Sequence, residues 1–580
     1  MRHHLKQIGL LGGGPAALFM YKRLIGSGLN DFEITIIEKS DRLGAGVPYS
    51  KAGAKPEHIT NVSGNEIPEI VTSVKDWIRN SPPELLEQFD MQPELFNDFK
   101  VMPRLLFGKY LEAQFTLLRN EARRAGISTK ILFKTMVTDI SDDVVEEKVT
   151  VYTQGGESFK FDQVVICTGH NWPKKFEGKV NNWFDSPYPP NKLDKKISYP
   201  VAIKGSSLTA IDAVRTLSRC NGTFSKNEDN VYSYELRKGS ENFRLVMHSI
   251  GGLFPAIRFH LEDTHLSLYK PLTDEEVSKS KAQHESFIPL DYIFERVFKQ
   301  PLKEHKPEFY NEIKDLSIED FVTRMMSLRE RLDAFELLKS ELAEADKSIK
   351  RQQSILWKEM LGSLSYAMNY PAKYLSAEDM MRLKKVLMPL ISIVIAYVPQ
   401  SSCRELLALY NAGVLDLIAV DKNSSVEPAE EGGAIYSFVD VEGQEQNVHY
   451  NMFVDAVGQP PFMLKDFPFE GLIKGGTVSA AYLQFKSSEE GAKEKAGANP
   501  LITHDSQGNY FMQVPGININ DAFQVLDKYG VNNTRVYIMA VPYIAGLNPD
   551  YSGLDFCEAA SERILKAMLN TEIAPVDKLV

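Results

Sequence analysis

The 580-residue sequence contains few cysteines, and none of them has the spacing of a redox or zinc-binding pair. The four cysteines, Cys167, Cys220, Cys403 and Cys557, lie far apart, and no C-x-x-C motif occurs. This distribution disfavours a dithiol-disulfide oxidoreductase and a zinc knuckle. Because sparse, unpaired cysteines are typical of a reducing compartment, we expect a cytoplasmic location.

The sequence also lacks an excess of positive charge, a long apolar segment and the common hydrolase motifs. The 66 Lys and Arg residues face 77 Asp and Glu residues, and the resulting charge of -11 argues against a nucleic-acid partner. The most apolar run, Val386 to Val398, is short for a membrane span, so we expect no membrane association. No H-E-x-x-H or G-x-S-x-G motif occurs, and His58 and His170 lack the spacing of metal ligands, so no metal site is expected.

A glycine-rich segment near the N-terminus carries the clearest signal. Gly12-Gly13-Gly14-Pro15-Ala16-Ala17 follows an apolar strand pattern and opens a helical one, and Glu38 ends the next strand. This is the G-x-G-x-x-A fingerprint of a dinucleotide-binding βαβ unit. Gly12 permits the tight turn, Gly14 lets backbone amides approach a pyrophosphate, and Ala17 allows close helix-strand packing. Glu38 is expected to accept hydrogen bonds from the adenosine ribose.

A second, degraded fingerprint follows the apolar strand Val201 to Ile203. Gly205-Ser206-Ser207-Leu208-Thr209-Ala210 keeps the first glycine and the alanine, but Ser207 stands where a glycine would allow the closest approach. The next predicted strand, Arg244 to Ser249, ends without the acid typical of an NAD site. Arg258 is the nearest cation for a 2′-phosphate, so the choice between NADH and NADPH stays open.

These patterns predict an α/β fold with two Rossmann-like dinucleotide-binding units and a helical insertion. Residues 1–198 are expected to form the first part of an FAD-binding domain and 451–580 its C-terminal part. Residues 199–260 and 401–450 are expected to form the NAD(P)-binding unit, with 261–400 as the helical insertion between them. The polar, Gly/Ala/Lys-rich stretch Lys486 to Asn499 is predicted to be a mobile loop.

Five further segments carry a resemblance to a known family. They are Arg42-Leu43-Gly44-Ala45-Gly46-Val47-Pro48-Tyr49, Thr60-Asn61-Val62, Met102-Pro103-Arg104-Leu105-Leu106-Phe107-Gly108-Lys109-Tyr110, Thr168-Gly169-His170-Asn171-Trp172-Pro173 and Asp455-Ala456-Val457-Gly458-Gln459. Together they resemble the bacterial FAD-NAD(P)-binding family of two-dinucleotide flavoproteins, which is distantly similar to flavin-dependent N-hydroxylating monooxygenases. The resemblance covers the two terminal thirds well and the helical middle only in general character.

The resemblance implies a set of cofactor contacts. Asn61 and Arg104 would lie near the flavin or its phosphates, Val137 would contact the adenine through its backbone, and Leu554 would begin a helix that points at the pyrimidine end of the flavin. The residues expected to bind FAD are Gly12, Gly14, Pro15, Ala16, Ala17, Glu38, Lys39, Gly44, Asn61, Arg104, Val137, Thr168, Gly169, Asp455, Gly458 and Leu554. Those expected to bind NAD(P) are Gly205, Ser206, Ser207 and Thr209. No catalytic residue is predicted.

The expected activity is that of an FAD-dependent NAD(P)H oxidoreductase. The leading hypothesis is a monooxygenase that uses O2 to hydroxylate a small substrate, with amines as one candidate class. A reductase or oxidase with another acceptor, and a flavin-binding protein without catalytic activity, are the alternatives. The sequence leaves the substrate and the oligomeric state open.

Overall fold

The computed structural model describes residues 5–169, 172–228, 231–262, 272–459, 461–550 and 553–570. The N-terminal part contains strands β1 (Lys6–Leu11), β2 (Phe32–Ile37), β3 (Ser128–Leu132), β4 (Val137–Asp143), β5 (Lys148–Thr153), β6 (Ser158–Phe161), β7 (Gln163–Ile166) and β8 (Trp183–Phe184). Its helices are α1 (Pro15–Gly26), α2 (Val74–Arg79), α3 (Pro83–Glu87) and α4 (Arg104–Arg124).

A second α/β segment follows and is interrupted by a helical middle. Its elements are β9 (Pro200–Lys204), α5 (Leu208–Asn221), β10 (Gly222–Lys226), β11 (Tyr232–Leu236) and β12 (Arg244–Ile250). The helical middle contains α6 (Asp274–Gln283), α7 (Leu290–Ile293), α8 (Gln300–His305), α9 (Pro307–Ile313), α10 (Ile318–Glu330), α11 (Ala334–Arg351), α12 (Leu356–Ala367), α13 (Ala377–Arg382) and α14 (Met388–Val394), with π-helical turns at Phe294–Lys299 and Leu383–Leu387.

The chain then returns to the second segment and finally to the first. The return elements are α15 (Gln400–Asn411), β13 (Leu415–Val420), β14 (Ser425–Pro428), β15 (Ala434–Val439), β16 (Glu445–Tyr450) and β17 (Met452–Asp455). The C-terminal elements are α16 (Glu470–Lys474), β18 (Ala480–Gln484), α17 (Ser488–Ala496), β19 (Ile502–His504), β20 (Tyr510–Ile517), β21 (Gln524–Leu526), β22 (Asn532–Ile538) and α18 (Leu554–Asn570).

Two mainly parallel sheets organise the molecule. The first has the strand order β21-β22-β7-β1-β2-β3, and only β21 runs antiparallel to its neighbour. The second has the order β13-β12-β9-β17-β8, and all of its pairs are parallel. Parallel strands need helical or long crossovers, which α1 and α5 supply at the start of each sheet. This architecture confirms the predicted α/β fold with two Rossmann-like units and a helical insertion.

The two units repeat one another strand for strand. The order β7-β1-β2-β3 in the first corresponds to β17-β9-β12-β13 in the second. Helix α4 precedes β3 in the first unit, and helix α15 precedes β13 in the second. A three-stranded antiparallel sheet then follows in each unit: β4-β5-β6 lies between β3 and β7 in the chain, and β14-β15-β16 lies between β13 and β17. The glycine turns and the strand ends of the first unit therefore have structural counterparts in the second.

The helical middle packs mainly on the first unit. Leu361 of α12 and Ile391 of α14 share one apolar core with Leu10 of β1 and Phe107 of α4. Polar contacts add to this attachment, because the carboxylate of Asp521 accepts hydrogen bonds from the hydroxyls of Tyr370 (2.9 Å) and Tyr374 (2.7 Å). None of the helices within the described ranges combines the length and the apolar character that a membrane crossing requires.

Two expectations from the sequence need correction. The stretch 486–499 contains helix α17, whose start is capped because the Ser487 hydroxyl accepts a hydrogen bond from the Glu490 amide (3.2 Å). The domain bounds shift as well, since β8 and β17 both join the second sheet. Both strands lie outside the ranges 199–260 and 401–450 that were assigned to the NAD(P) unit.

Candidate functional site

The first glycine turn lies between β1 and α1 and requires glycine. Gly12 has a φ of 104°, and a Cβ placed there would lie 2.8 Å from the carbonyl oxygen of Cys167, the residue after β7. Helix α1 starts with Pro15 after an N-cap, Gly14, that makes no side-chain hydrogen bond. The turn therefore presents the start of a helix, with the amides of Ala16 and Ala17 in its first turn, as a site for an anion.

Glu38 braces this turn. One carboxylate oxygen accepts a hydrogen bond from the Gly13 amide (2.6 Å) and the other accepts one from the Ser40 amide (2.7 Å). The residue is 9% exposed, at the edge of the turn. Each carboxylate oxygen can accept a second hydrogen bond, so the side chain can hold a ribose hydroxyl while it fixes the turn. Lys39, which follows it, is exposed.

The loop that contains Gly44 packs directly on the glycine turn. The Gly44 amide donates to the carbonyl oxygen of Gly13 (2.7 Å), and Gly44 has a φ of 91°. A Cβ on Gly44 would lie 2.5 Å from the carbonyl oxygen of Leu111 in α4. Gly46 also touches the turn, because a Cβ on Gly14 would lie 3.4 Å from the Gly46 Cα. Segment 42–49, one of those that carry the family resemblance, thus packs against the glycine turn.

Three other predicted contacts lie around the same turn. The backbone of Glu38 bonds to Leu132 and Thr135, and Val137 begins β4 two residues after Thr135. Thr168 follows Cys167 at the end of β7, and Gly169 after it has no atom within 4 Å of a built Cβ. His170 and Asn171 of the same motif lie outside the described residues.

Asn61 and Arg104 lie where the first unit meets the second. Segment 58–60 pairs with segment 102–104 through the Ile59–Pro103 bridge and the bond from the Arg104 amide to the His58 carbonyl (2.9 Å). The Arg104 guanidinium contacts Asp212 of α5 at 2.5 Å, and Asp212 also accepts from the Tyr188 hydroxyl (2.7 Å). Burial opposes the charge of Arg104, yet the nearby Asp212 carboxylate raises its pKa. This buried pair locks the two units together.

A hydrogen bond of His58 also joins the two units beside this ion pair. His58 is fully buried, and its Nε2 lies 3.0 Å from the hydroxyl of Thr216 on α5. Burial lowers the pKa of His58, so the ring is neutral at neutral pH. His58 is thus part of the contact between α5 and the segment before Asn61.

Arg258 is also wrong as a candidate for a 2′-phosphate. Its guanidinium is buried, forms an ion pair with Glu66 and bonds to the Asn61 carbonyl and the Ser63 hydroxyl (2.6 Å). The chain turns away from the second glycine turn after β12 and carries this arginine to the first unit. Its role there is to hold the loop that contains Asn61.

The second glycine turn reproduces the geometry of the first. Gly205 has a φ of 109°, and a Cβ there would lie 3.0 Å from the carbonyl oxygen of Ala456, the residue after β17. Helix α5 starts after Ser207, an exposed N-cap without a side-chain hydrogen bond, with Thr209 in its first turn. The Ser206 hydroxyl donates to the Leu253 carbonyl (2.7 Å), which ties the turn to the loop after β12.

Asp455 and Gly458 belong to this second turn. The residue pairs Met452–Val201 and Asp455–Lys204 align β17 with β9, so Asp455 ends its strand beside Gly205. Burial raises the pKa of Asp455, while its Oδ1 accepts from the Val457 amide (3.2 Å). Gly458 follows with a φ of 97°. Their predicted place in the FAD-binding part is thus corrected, because long-range pairing puts them in the second sheet.

The last predicted contact, Leu554, starts helix α18 and is buried. The next residue, Asp555, has an enclosed Oδ1 without a hydrogen-bond partner among the described residues. Burial, assisted by the charges of Glu66 and Asp550, raises the pKa of Asp555 to about 7. Tyr551 and Ser552 of this segment lie outside the described residues.

Several residues at the junction of the two units had no signal in the sequence. Asp212, Tyr188 and Tyr397 become visible only through contacts between distant segments. Tyr397 is 4% exposed, has a φ of 52° and carries a hydroxyl with no partner in the described part of the chain. Burial raises the pKa of Tyr397, and the negative charge of Glu66 raises it further. Tyr397 and Asp555 therefore border a buried polar region at the junction of the two units and the helical middle.

Comparison with known proteins identifies domains in the N-terminal part and in the helical middle of the chain. Residues 9–171 match the model of the FAD-NAD(P)-binding family, and residues 273–395 match that of the YdhS-like middle domain. The N-terminal unit is therefore an FAD-NAD(P)-binding domain, as predicted, and the helical middle is a defined domain. A curated relative, the "Uncharacterized protein YdhS" of Escherichia coli strain K12, is 26% identical over 474 residues, which cover 81% of this chain and 86% of the relative.

Several solved structures resemble the chain with low TM-scores. The FAD-bound cadaverine monooxygenase DfoA of Erwinia amylovora gives a TM-score of 0.43 at 11% identity and covers 99% of this chain and 97% of its own. The bacillithiol disulfide reductase Bdr of Staphylococcus aureus gives 0.42 at 11% identity, with 98% and 99% coverage. The ornithine hydroxylase PvdA of Pseudomonas aeruginosa gives 0.42 at 12% identity, again with 98% and 99% coverage. Scores below 0.5 support no inference about activity.

Proposed function

We propose that this protein is an FAD-dependent NAD(P)H oxidoreductase, and that it acts as a monooxygenase on a small substrate. The observation that carries the proposal is the repetition of one glycine turn in two units that a buried ion pair holds together. A single chain with two such turns can bind two dinucleotides in a fixed relation. Gly12, Gly14 and Glu38 would hold FAD, which would supply the redox chemistry between a nicotinamide nucleotide as electron donor and O2 as acceptor.

The residues of the first turn fit FAD. Gly12 leaves the space that a Cβ would fill, the start of α1 would face the pyrophosphate, and the Glu38 carboxylate would accept hydrogen bonds from the ribose. Gly44 and Gly46 pack against the same turn and would give a long dinucleotide a backbone surface to lie on. The backbone of these glycines and the carboxylate of Glu38 would bind and orient the cofactor.

The second turn would bind the nicotinamide nucleotide. Its glycine and helix start have the geometry of the first, and Ser206 and Ser207 replace glycines without blocking the helix start. The Arg104–Asp212 pair joins the first residue of α4 to α5, the helix that starts at the second turn. Such a rigid junction favours hydride transfer, because the two reacting rings must meet at a fixed distance.

The cysteines favour oxygen over a disulfide as the electron acceptor. All four are free thiols, and Cys167, Cys403 and Cys557 are buried. Burial raises the pKa of Cys557 to about 12 and raises that of Cys167 still further. A thiol that stays protonated is a poor nucleophile for disulfide exchange. Free thiols also support a cytoplasmic location.

A cavity at the junction offers room for a substrate. It has a volume of about 240 Å³ and is bordered by the first unit, the loop after β12 and the helical middle. Its wall includes Arg258, Phe99 and His260, and the two rings lie 4.4 Å apart. Because Arg258 also holds Asn61, the cavity adjoins the expected flavin end of the site. We propose a small molecule, amines first among the classes to test, as its occupant.

Reduction followed by oxygen tests the proposal. The purified flavoprotein is reduced with NADPH or NADH without oxygen and then mixed with air-saturated buffer and a panel of small amines and ketones. A monooxygenase yields one oxygenated product, a hydroxylated amine or the ester of a ketone, per nicotinamide oxidised when the right substrate is present. Rapid reoxidation of the flavin with release of hydrogen peroxide, whatever the substrate, would instead indicate an oxidase. Faster turnover with quinones than with O2 would indicate a reductase.

A further inference from the structure

The repetition of the two units identifies the counterpart of Glu38. In the first unit the Gly12 amide donates to the Ile37 carbonyl (2.8 Å), and Glu38 is the next residue. In the second unit the Gly205 amide donates to the His248 carbonyl (2.7 Å), and the next residue is Ser249. Ser249 therefore occupies the position from which Glu38 reaches the glycine turn and the ribose.

The surroundings of Ser249 differ from those of Glu38 in charge and in space. The Ser249 hydroxyl oxygen is enclosed and has no hydrogen-bond partner among the described residues. Two residues further, Gly251 takes the place of Ser40, and no atom of the described chain lies within 4 Å of a Cβ built on it. This end of the second site thus has an unused hydroxyl, open space and no carboxylate on the strand end.

We propose that Ser249 sets the choice of nicotinamide nucleotide, and that the second unit binds the 2′-phosphorylated form, NADPH, at least as tightly as NADH. This inference rests on the proposed function. A carboxylate at this position accepts hydrogen bonds from the ribose diol of NADH and repels a 2′-phosphate. A serine removes that repulsion, and rotation about its Cα–Cβ bond would turn the enclosed hydroxyl toward a phosphate oxygen as a donor, while Gly251 leaves room for the additional group.

Calorimetric titration of the oxidised, flavin-loaded protein with NADP+ and with NAD+ tests the inference. In the natural protein NADP+ binds no more weakly than NAD+. In Ser249→Glu, which restores the arrangement around Glu38, the affinity ratio shifts toward NAD+ by at least tenfold. Ser233→Glu is the control, because this exposed serine on β11 adds the same charge away from the turn and leaves the ratio unchanged.

A smaller substitution keeps the test valid if Ser249→Glu does not fold. Ser249→Ala removes the donor without adding charge, and it weakens NADP+ several-fold more than NAD+. The inference is overturned if the natural protein binds NAD+ more tightly than NADP+, if both Ser249 variants leave the ratio unchanged, or if neither nucleotide binds. Nucleotide binding with the expected ratio but without any hydroxylated product would refute the proposed monooxygenase and leave this inference standing.

Discussion

Replacing Gly12 and Gly205 one at a time would separate the two nucleotide sites. Alanine at Gly12 must adopt a φ of 104° and place its Cβ 2.8 Å from a main-chain carbonyl that the sheet holds in place. Such a backbone conformation costs a non-glycine residue about 1–3 kcal/mol, and the overlap adds to it. If the turn relieves both by opening, FAD affinity falls by about 100-fold for each 2.8 kcal/mol lost.

Gly205→Ala has the same φ problem, with a Cβ 3.0 Å from the Ala456 carbonyl, but it lies in the other unit. We expect this variant to retain stoichiometric flavin and to lose reduction by NADPH at low nucleotide concentrations. Flavin content after gel filtration measures the first effect, and the anaerobic rate of flavin bleaching measures the second.

Gly28→Ala and Gly155→Ala serve as matched controls. Gly28 has a φ of 76° but open space around its Cβ position, and the exposed Gly155 has open space without a positive φ. Both controls should bind FAD and be reduced normally. The reasoning is refuted if Gly12→Ala binds FAD as tightly as the natural protein, or if Gly205→Ala loses flavin and keeps its response to NADPH.

Three further predictions concern charged groups. Asp212→Ala leaves Arg104 buried without its partner and should lower the free energy of unfolding, measured by urea titration, by about 2–4 kcal/mol. The control is Glu112→Ala, which breaks an exposed ion pair and should change the free energy of unfolding by less than about 1 kcal/mol. Glu38→Gln disturbs one of the two hydrogen bonds that the carboxylate accepts from backbone amides. This variant should bind FAD about tenfold more weakly, since hydrogen bonds to charged groups contribute about 1.5–3 kcal/mol. An unchanged FAD affinity would contradict the role of Glu38 in the first site. Because the pKa of Asp555 is raised to about 7, the natural protein should lose stability as the pH rises from about 4 through 7, and Asp555→Asn should be more stable than it at pH 8 by about 2–4 kcal/mol; equal melting curves at pH 5 and 8 would count against this.

The local parts of both sites were predictable from the sequence. The turn from Gly12 to Ala17, the acid Glu38 and the start at Gly205 depend on short-range rules of strand, turn and helix, and the structure has them in the predicted order. Helix α17 could also have been predicted, because Ser487 is a capping residue, Glu489 and Glu490 follow it and Lys495 lies in the last turn. The polar composition concealed this pattern.

The remaining features depend on contacts between segments that are distant in the chain. Asp455 pairs with Lys204 across more than two hundred residues, so no local pattern indicates which unit it joins. Arg258 is close to the second turn in sequence, but its partner is Glu66, in the first unit. Buried ion pairs of this kind arise from packing between domains and have no periodicity in the sequence.

Anaerobic titration of the purified protein with NADPH and NADH, followed by the visible absorbance of the flavin, tests the central claim most directly. If the two turns bind FAD and a nicotinamide nucleotide in one rigid junction, the protein carries about one flavin per chain, and at least one nucleotide bleaches it. A colourless protein that does not take up excess FAD, or a flavin that neither nucleotide reduces, would contradict the account.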